Sequence, residues 1–262
     1  MPIINKDRHI TSGFDEDALL AFTDGEQVLN FGQLKTTGDL AEGIFAAANH
    51  VTIRNFGRVE TNGLGAAGIL VLGEDARIEN YGSVVTTGDS FEFAAFSEGI
   101  LAIGDRFHIA NYGSVRVEGE FSSAMVGVGA DGLVINYGRV DCLSSSGAVG
   151  VLGDGSRAIN AGHLTTSNVD TTALFAHGED AVALNTGRID VNSPASVGMR
   201  GTFANTQLMN AGVIRVDADV TVGMLGLGDG HQLTNSGRIE TRGTFVSGMG
   251  AGGGPVGTIG LD

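Results

Sequence analysis

Arginine and carboxylate recur two residues apart in this chain, as Arg58/Glu60, Arg139/Asp141, Arg188/Asp190 and Arg238/Glu240. In an extended strand that spacing puts both side chains on one side. Lys35, Arg116, His163 and Arg215 lie between them. One reading is a solvated face laced with ion pairs, each worth little. The other is the groove of a polysaccharide lyase or glycoside hydrolase, with acids to hold Ca²⁺ and a cationic base beside the sugar. Arg116, Arg139 and Asp141 are the best local match to that chemistry, and no acid cluster of metal-binding density accompanies them.

A second concentration of chemistry lies in the segment 89–98, which carries Phe91, Phe93 and Phe96 with Glu92 and Glu98. Further on, Glu118, Glu120 and Phe121 occupy the matching place. Carboxylates paired against an apolar wall have raised pKa values and suit acid–base work. The phenylalanines suit a lid over neighbouring structure or a loop that touches a ligand or partner. A third set, Asp24, Glu74, Asp105, Asp154, Glu179 and Asp229, falls in turns, with Asp75, Asp131 and Asp180 one place on. Acids are good turn residues. Stacked acids repel unless a cation sits between them, so Ca²⁺ is a minor expectation. The six histidines show no metal-ligand or nucleophile–base spacing, and there is no Gly-x-Ser-x-Gly elbow. No metal or other cofactor is expected, and the leading reading assigns no catalytic residue.

What positions all these residues is a repeat. Asn-x-Gly occurs at Asn30, Asn55, Asn80, Asn111, Asn136, Asn160, Asn185, Asn210 and Asn235, at intervals of 25, 25, 31, 25, 24, 25, 25 and 25 residues. Asn5 starts a degenerate first copy. Within one copy, Arg58–Thr61 alternates with period 2 and predicts a strand. Gly68–Gly73 predicts a second strand, and Arg77–Glu79 a third that ends at Asn80. Three short strands and three corners describe one coil of a right-handed parallel β-helix, an all-β solenoid of about ten coils. The apolar columns Val59, Val84, Val115, Val140 and Ile69, Ile100, Met125, Val149 should point inward. A Gly or Ala always precedes the second column, as a crowded corner demands. The asparagines read as a stacked amide ladder, and Phe31, Phe56, Tyr81, Tyr112 and Tyr137 as an aromatic stack, with a sugar-binding platform as the alternative. The interval of 31 places about six extra residues in 89–98, an insertion in a single domain spanning 1–262.

The order of Asn-x-Gly, short Val/Ile strand, Gly-Ile-x-Val-like strand and Gly-Asp turn resembles the repeats of bacterial autotransporter and haemagglutinin-type adhesin passengers. The resemblance covers nearly the whole chain. It implies a parallel β-helix, an extracellular or bacterial cell-surface location, and a carbohydrate or other cell-surface ligand. The same scaffold carries adhesins and polysaccharide-degrading enzymes, so the resemblance alone leaves activity open.

The composition narrows the partners. The net charge is −15, which disfavours nucleic acid and anionic membrane surfaces. Trp is absent and Cys142 is the single cysteine, which rules out an intrachain disulfide. No apolar run is long enough to span a membrane, and no N-terminal signal peptide is visible, which keeps a cytoplasmic location as the alternative. The second strand breaks the expected alternation: its outward positions are also apolar. Leu70, Leu72, Leu101, Ile103, Val126 and Val128 lie at the centre of this strip, with His177 and Arg200 nearer one end. Such a face predicts a homo-oligomer joined along it. Unpaired edges at the two ends predict end-to-end stacking. The leading function is a non-enzymatic structural or adhesive solenoid; the alternative is a carbohydrate-active enzyme.

Overall fold

The structure, a computed structural model, describes residues 1–90, 97–252 and 259–261. All of its regular elements are short strands, and they build a parallel β-helix of about ten coils. Three parallel sheets run along it. The first has ten strands, from Arg8–Thr11 to Arg238–Arg242; the second has ten, from Leu19–Ala21 to Ser247–Gly252. The third has eleven, from Ile3–Asn5 to Ile259–Leu261. Each strand pairs with its equivalent one coil away, as in Val59↔Val84↔Val115, Ile69↔Ile100 and Asn55↔Asn80.

The interior is built from the expected columns. Leu34, Val59, Val84, Val115 and Ile44, Ile69, Ile100, Met125 are fully buried. The small residue before the second column is a steric requirement, since a Cβ on Gly68 would fall 2.4 Å from Cγ1 of Val84. In the middle of the rod, Phe107 fills space that two later glycines leave open. A Cβ on Gly127 or Gly132 would lie 2.0 or 2.1 Å from its ring. Interiors packed to crystal density do not tolerate such overlap.

The Asn-x-Gly corner now has a full physical account. From Asn5 to Asn235, each amide Nδ2 donates to the Oδ1 of the asparagine one coil on, at 2.7–2.9 Å. The main chain adds a second ladder: the N–H groups of Tyr81 and Gly82 both donate to the carbonyl of Asn55, at 2.8 and 2.9 Å. Glycine is needed because a Cβ on Gly82 would stand 2.0 Å from the carbonyl oxygen of Gly57. Buried polar groups are tolerated here because they are satisfied coil to coil.

The acidic turn column also bonds from coil to coil. Oδ1 of Asp24, Asp105 and Asp154 accepts the N–H of Asn49, Ala130 and Glu179, at 2.9, 2.8 and 2.8 Å. Where acids crowd, the cation between them is Arg106, 2.6 Å from Glu74 and 2.8 Å from Asp75.

Candidate functional site

The outer face of the first sheet is a run of ion pairs. Arg58 and Lys35 converge on Glu60 at 2.9 and 2.5 Å, and Arg188 and His163 on Asp190 at 2.6 and 2.7 Å. The Lys35 hydrogen bond, with that of Arg58, holds the Glu60 carboxyl below its ordinary range. Arg116 opposes Asp141 in the ladder, yet its Nε pairs with Glu118 at 2.6 Å, while Arg139 takes Asp141 at 2.6 Å. Asp141 raises the guanidinium pKa of Arg139 further. A general base must lose its proton, so this pairing works against that role.

Of the acids expected around the insertion, three fall among the described residues. Glu118 and Glu120 are exposed, whereas Glu98 is buried. Phe91, Glu92, Phe93 and Phe96 lie outside the described residues. The flanks of the insertion are fastened by serines. Ser90 Oγ accepts the N–H of Ser97 at 2.8 Å and meets Ser122 Oγ at 3.0 Å. The N–H of Ser122 in turn donates to Ser144 Oγ at 2.8 Å.

Glu98 lines a groove of about 400 Å³ on the outer face of the second sheet. Leu101, Val126, Val128, Leu152 and Phe175 form its apolar wall; Ser123, Asp170, His177 and Arg200 are among its polar groups. Burial pushes the Glu98 carboxyl up to about 7, and its Oε2 has no hydrogen-bond partner among the described residues. Burial, and then the charge of Arg200, lowers the His177 imidazole to about 4. His177 Nε2 and Arg200 Nε are both buried without a partner among the described residues. The groove exists because Gly147 and Gly150 place no side chain outward, and the Phe175 ring lies against both. Sequence reading placed Arg200 and His177 near one end of this face but did not foresee the groove. The available signal was a charge, and two glycines, interrupting an outward apolar column.

The apolar strip divides in two. Leu70, Leu101 and Val126 are 7%, 2% and 4% exposed, within a second buried cluster that includes Ala67 and Phe175. They are therefore already covered in the single chain. The accessible part is the next column, where Phe22, Leu72 and Leu152 are exposed and Ile103 and Val128 half-buried. At the other end of the same face, Asp15, Asp17 and Glu42 bring carboxylate oxygens within 4.8 Å of one another. Burial and the Asp17 carboxylate push Glu42 up to about 9. Reading the chain in steps of 25 would have found this pair, since Asp17 and Glu42 share a column. The aromatic stack is real: successive rings from Phe31 to Tyr137 lie 4.8–5.0 Å apart and within 10° of parallel. Stacking occupies the inner ring faces, leaving edges for solvent, which weakens the sugar-platform reading.

Fold and repeat define the class: a parallel β-solenoid resembling adhesin-type passengers. Residues 142–257 match the family model described as BigA third pectate lyase-like domain. That match takes in Asp170, Phe175, His177 and Arg200 and leaves Glu98 outside. No curated protein matches the chain, and no solved structure matches it.

Proposed function

We propose that the chain is a non-catalytic adhesive solenoid of a bacterial surface or extracellular protein, acting through self-assembly and recognition on the outer face of the second sheet. The observation that carries this reading is the accessible apolar column from Phe22 through Leu72 to Leu152. A soluble chain of charge −15 gains by covering such a strip, because apolar area removed from water is the main favourable term in association. The pairing of Arg58, Arg116 and Arg139 with acids adds support, since it engages the arginines best placed to serve as a base on that face. Sedimentation velocity on the wild type and on Phe22→Asp plus Leu72→Asp tests it. The wild type should sediment as an oligomer and the variant as a smaller species. A monomeric wild type at micromolar concentration would refute assembly.

One observation favours a second reading, a carbohydrate-active enzyme. Glu98, with a carboxyl near 7, shares a groove with His177 and Arg200, and part of the chain matches a family described as pectate lyase-like. Unsaturated products released from polygalacturonate, and lost in Glu98→Gln, would favour it.

A further inference from the structure

Arg200 stands alone on an apolar face. It pairs in the second sheet with Phe175 on one side and Leu225 on the other. Its Nε is buried and meets no acceptor among the described residues. Among the described residues it makes no ion pair, whereas every first-sheet arginine from Arg58 to Arg238 has a carboxylate. Arg200 is half-buried, and drawing part of a cation out of water without a counter-charge is costly. Arg8, Arg157 and Arg242 also lack an ion pair among the described residues, but they are exposed; in a chain of net charge −15, a half-buried arginine left unpaired points to a ligand that brings the anion.

The surroundings define that ligand. His177 adjoins, with an imidazole held neutral at pH 7 by burial and by Arg200. Its buried Nε2 has no partner among the described residues, so it can serve as a hydrogen-bond donor in the Nε2–H tautomer. Beyond it the wall is apolar, formed by Phe175, Leu152, Val128 and Val126. One cation suits a single carboxylate better than a phosphate, whose greater charge calls for several donors. From the Arg200 coil back to the Val126 coil is roughly 14 Å at the strand spacing, the reach of a medium-chain acid. The acids in the groove are Asp170, which is exposed, and Glu98, at the far end. With its carboxyl near 7, Glu98 opposes an anion only in part.

We propose that this groove binds a small organic acid, a carboxylate on an apolar chain, with the carboxylate at Arg200 and His177 and the chain against Phe175, Leu152 and Val128. This rests on reading the second-sheet outer face as a recognition surface and names its ligand class; assembly then uses the end of the accessible column at Phe22 and Leu72, and Val128 and Leu152 are left to the ligand.

Isothermal titration of the full chain with decanoate, decan-1-ol and decyltrimethylammonium, each below its self-association concentration, tests the proposal. Decanoate should bind at one equivalent, and the alcohol and the ammonium at least about tenfold more weakly. Arg200→Gln should weaken decanoate by about 10- to 100-fold with the melting temperature unchanged. Equal binding of decanoate and decanol by the wild type would overturn the proposal, a comparison that depends on no variant folding. So would an unchanged affinity in Arg200→Gln, or no decanoate binding at all. If decanoate fails to bind while Phe22→Asp plus Leu72→Asp still reduces the assembly, the ligand assignment falls and the recognition-face reading stands. If decanoate binds as expected to a monomer, the assembly reading falls and the ligand site stands.

Discussion

The ring of Phe175 lies so close against Gly150 of the preceding coil that a Cβ there would fall 2.3 Å from its Cδ2. Gly147 meets the same ring at 2.2 Å. Two absent side chains thus lay an aromatic ring along the rod and hollow the groove beside it. Gly150→Ala should force the ring off its seat and cost about 1–3 kcal/mol, the usual penalty of overpacking. In a Phe175→Leu background the same change should cost much less. Denaturant midpoints for the four proteins of this cycle measure the coupling.

Glu98 should make stability depend on pH in the direction opposite to a salt-bridged acid. Its folded pKa, about 7, lies above the ordinary 4.5, so the folded state holds the proton more tightly than the unfolded chain. Its contribution is complete below the ordinary value and is lost as pH rises through about 7. Glu98→Gln should therefore raise stability at pH 8, by up to about 3 kcal/mol at 1.36 kcal/mol per pH unit, and change little at pH 4. Thermal melting of both proteins across that range checks the sign.

The amide ladder should be most sensitive in its middle. Asn111 accepts from Asn80 and donates to Asn136, and all three are fully buried. Asn111→Ala leaves a donor and an acceptor unmet in the interior, at about 2–4 kcal/mol in total. Asn235, half-buried and bonded to Asn210, should cost less than half as much on the same change. Urea unfolding of the two variants makes the comparison.

Much of this architecture is legible in the sequence because each residue's nearest neighbour in space is its own counterpart one coil away. Val59, Val84 and Val115, or Asn55 and Asn80, therefore repeat as types and reveal a column. The Arg58/Glu60 and Arg139/Asp141 pairs are legible for the same reason, since strand alternation places them side by side. The groove is less legible because it arises where the repeat is broken. Gly147 and Gly150 act by lacking side chains, and the burial of outward-pointing Leu101 and Val126 depends on how the outer cluster closes over them. The acids Asp17 and Glu42 escape notice because their column continues as Ala67, Glu98 and Ser123, which hides them as isolated charges. Glu98 itself is legible as an acid near an apolar wall, but its burial, against the exposure of Glu118 and Glu120, depends on the path taken through the corner.

Copies of the chain are proposed to meet through the accessible column of the second sheet. Cysteine cross-linking tests it most directly, because Cys142 is fully buried with its thiol pushed up to about 11 by burial and stays out of the reaction. Leu72→Cys on the second sheet and Arg58→Cys on the first should be oxidised in parallel under mild conditions and sized under denaturing conditions. If copies meet through this column, Leu72→Cys gives a disulfide-linked species of twice the chain mass and Arg58→Cys gives little. Equal cross-linking at both positions, or none at Leu72→Cys, would contradict it.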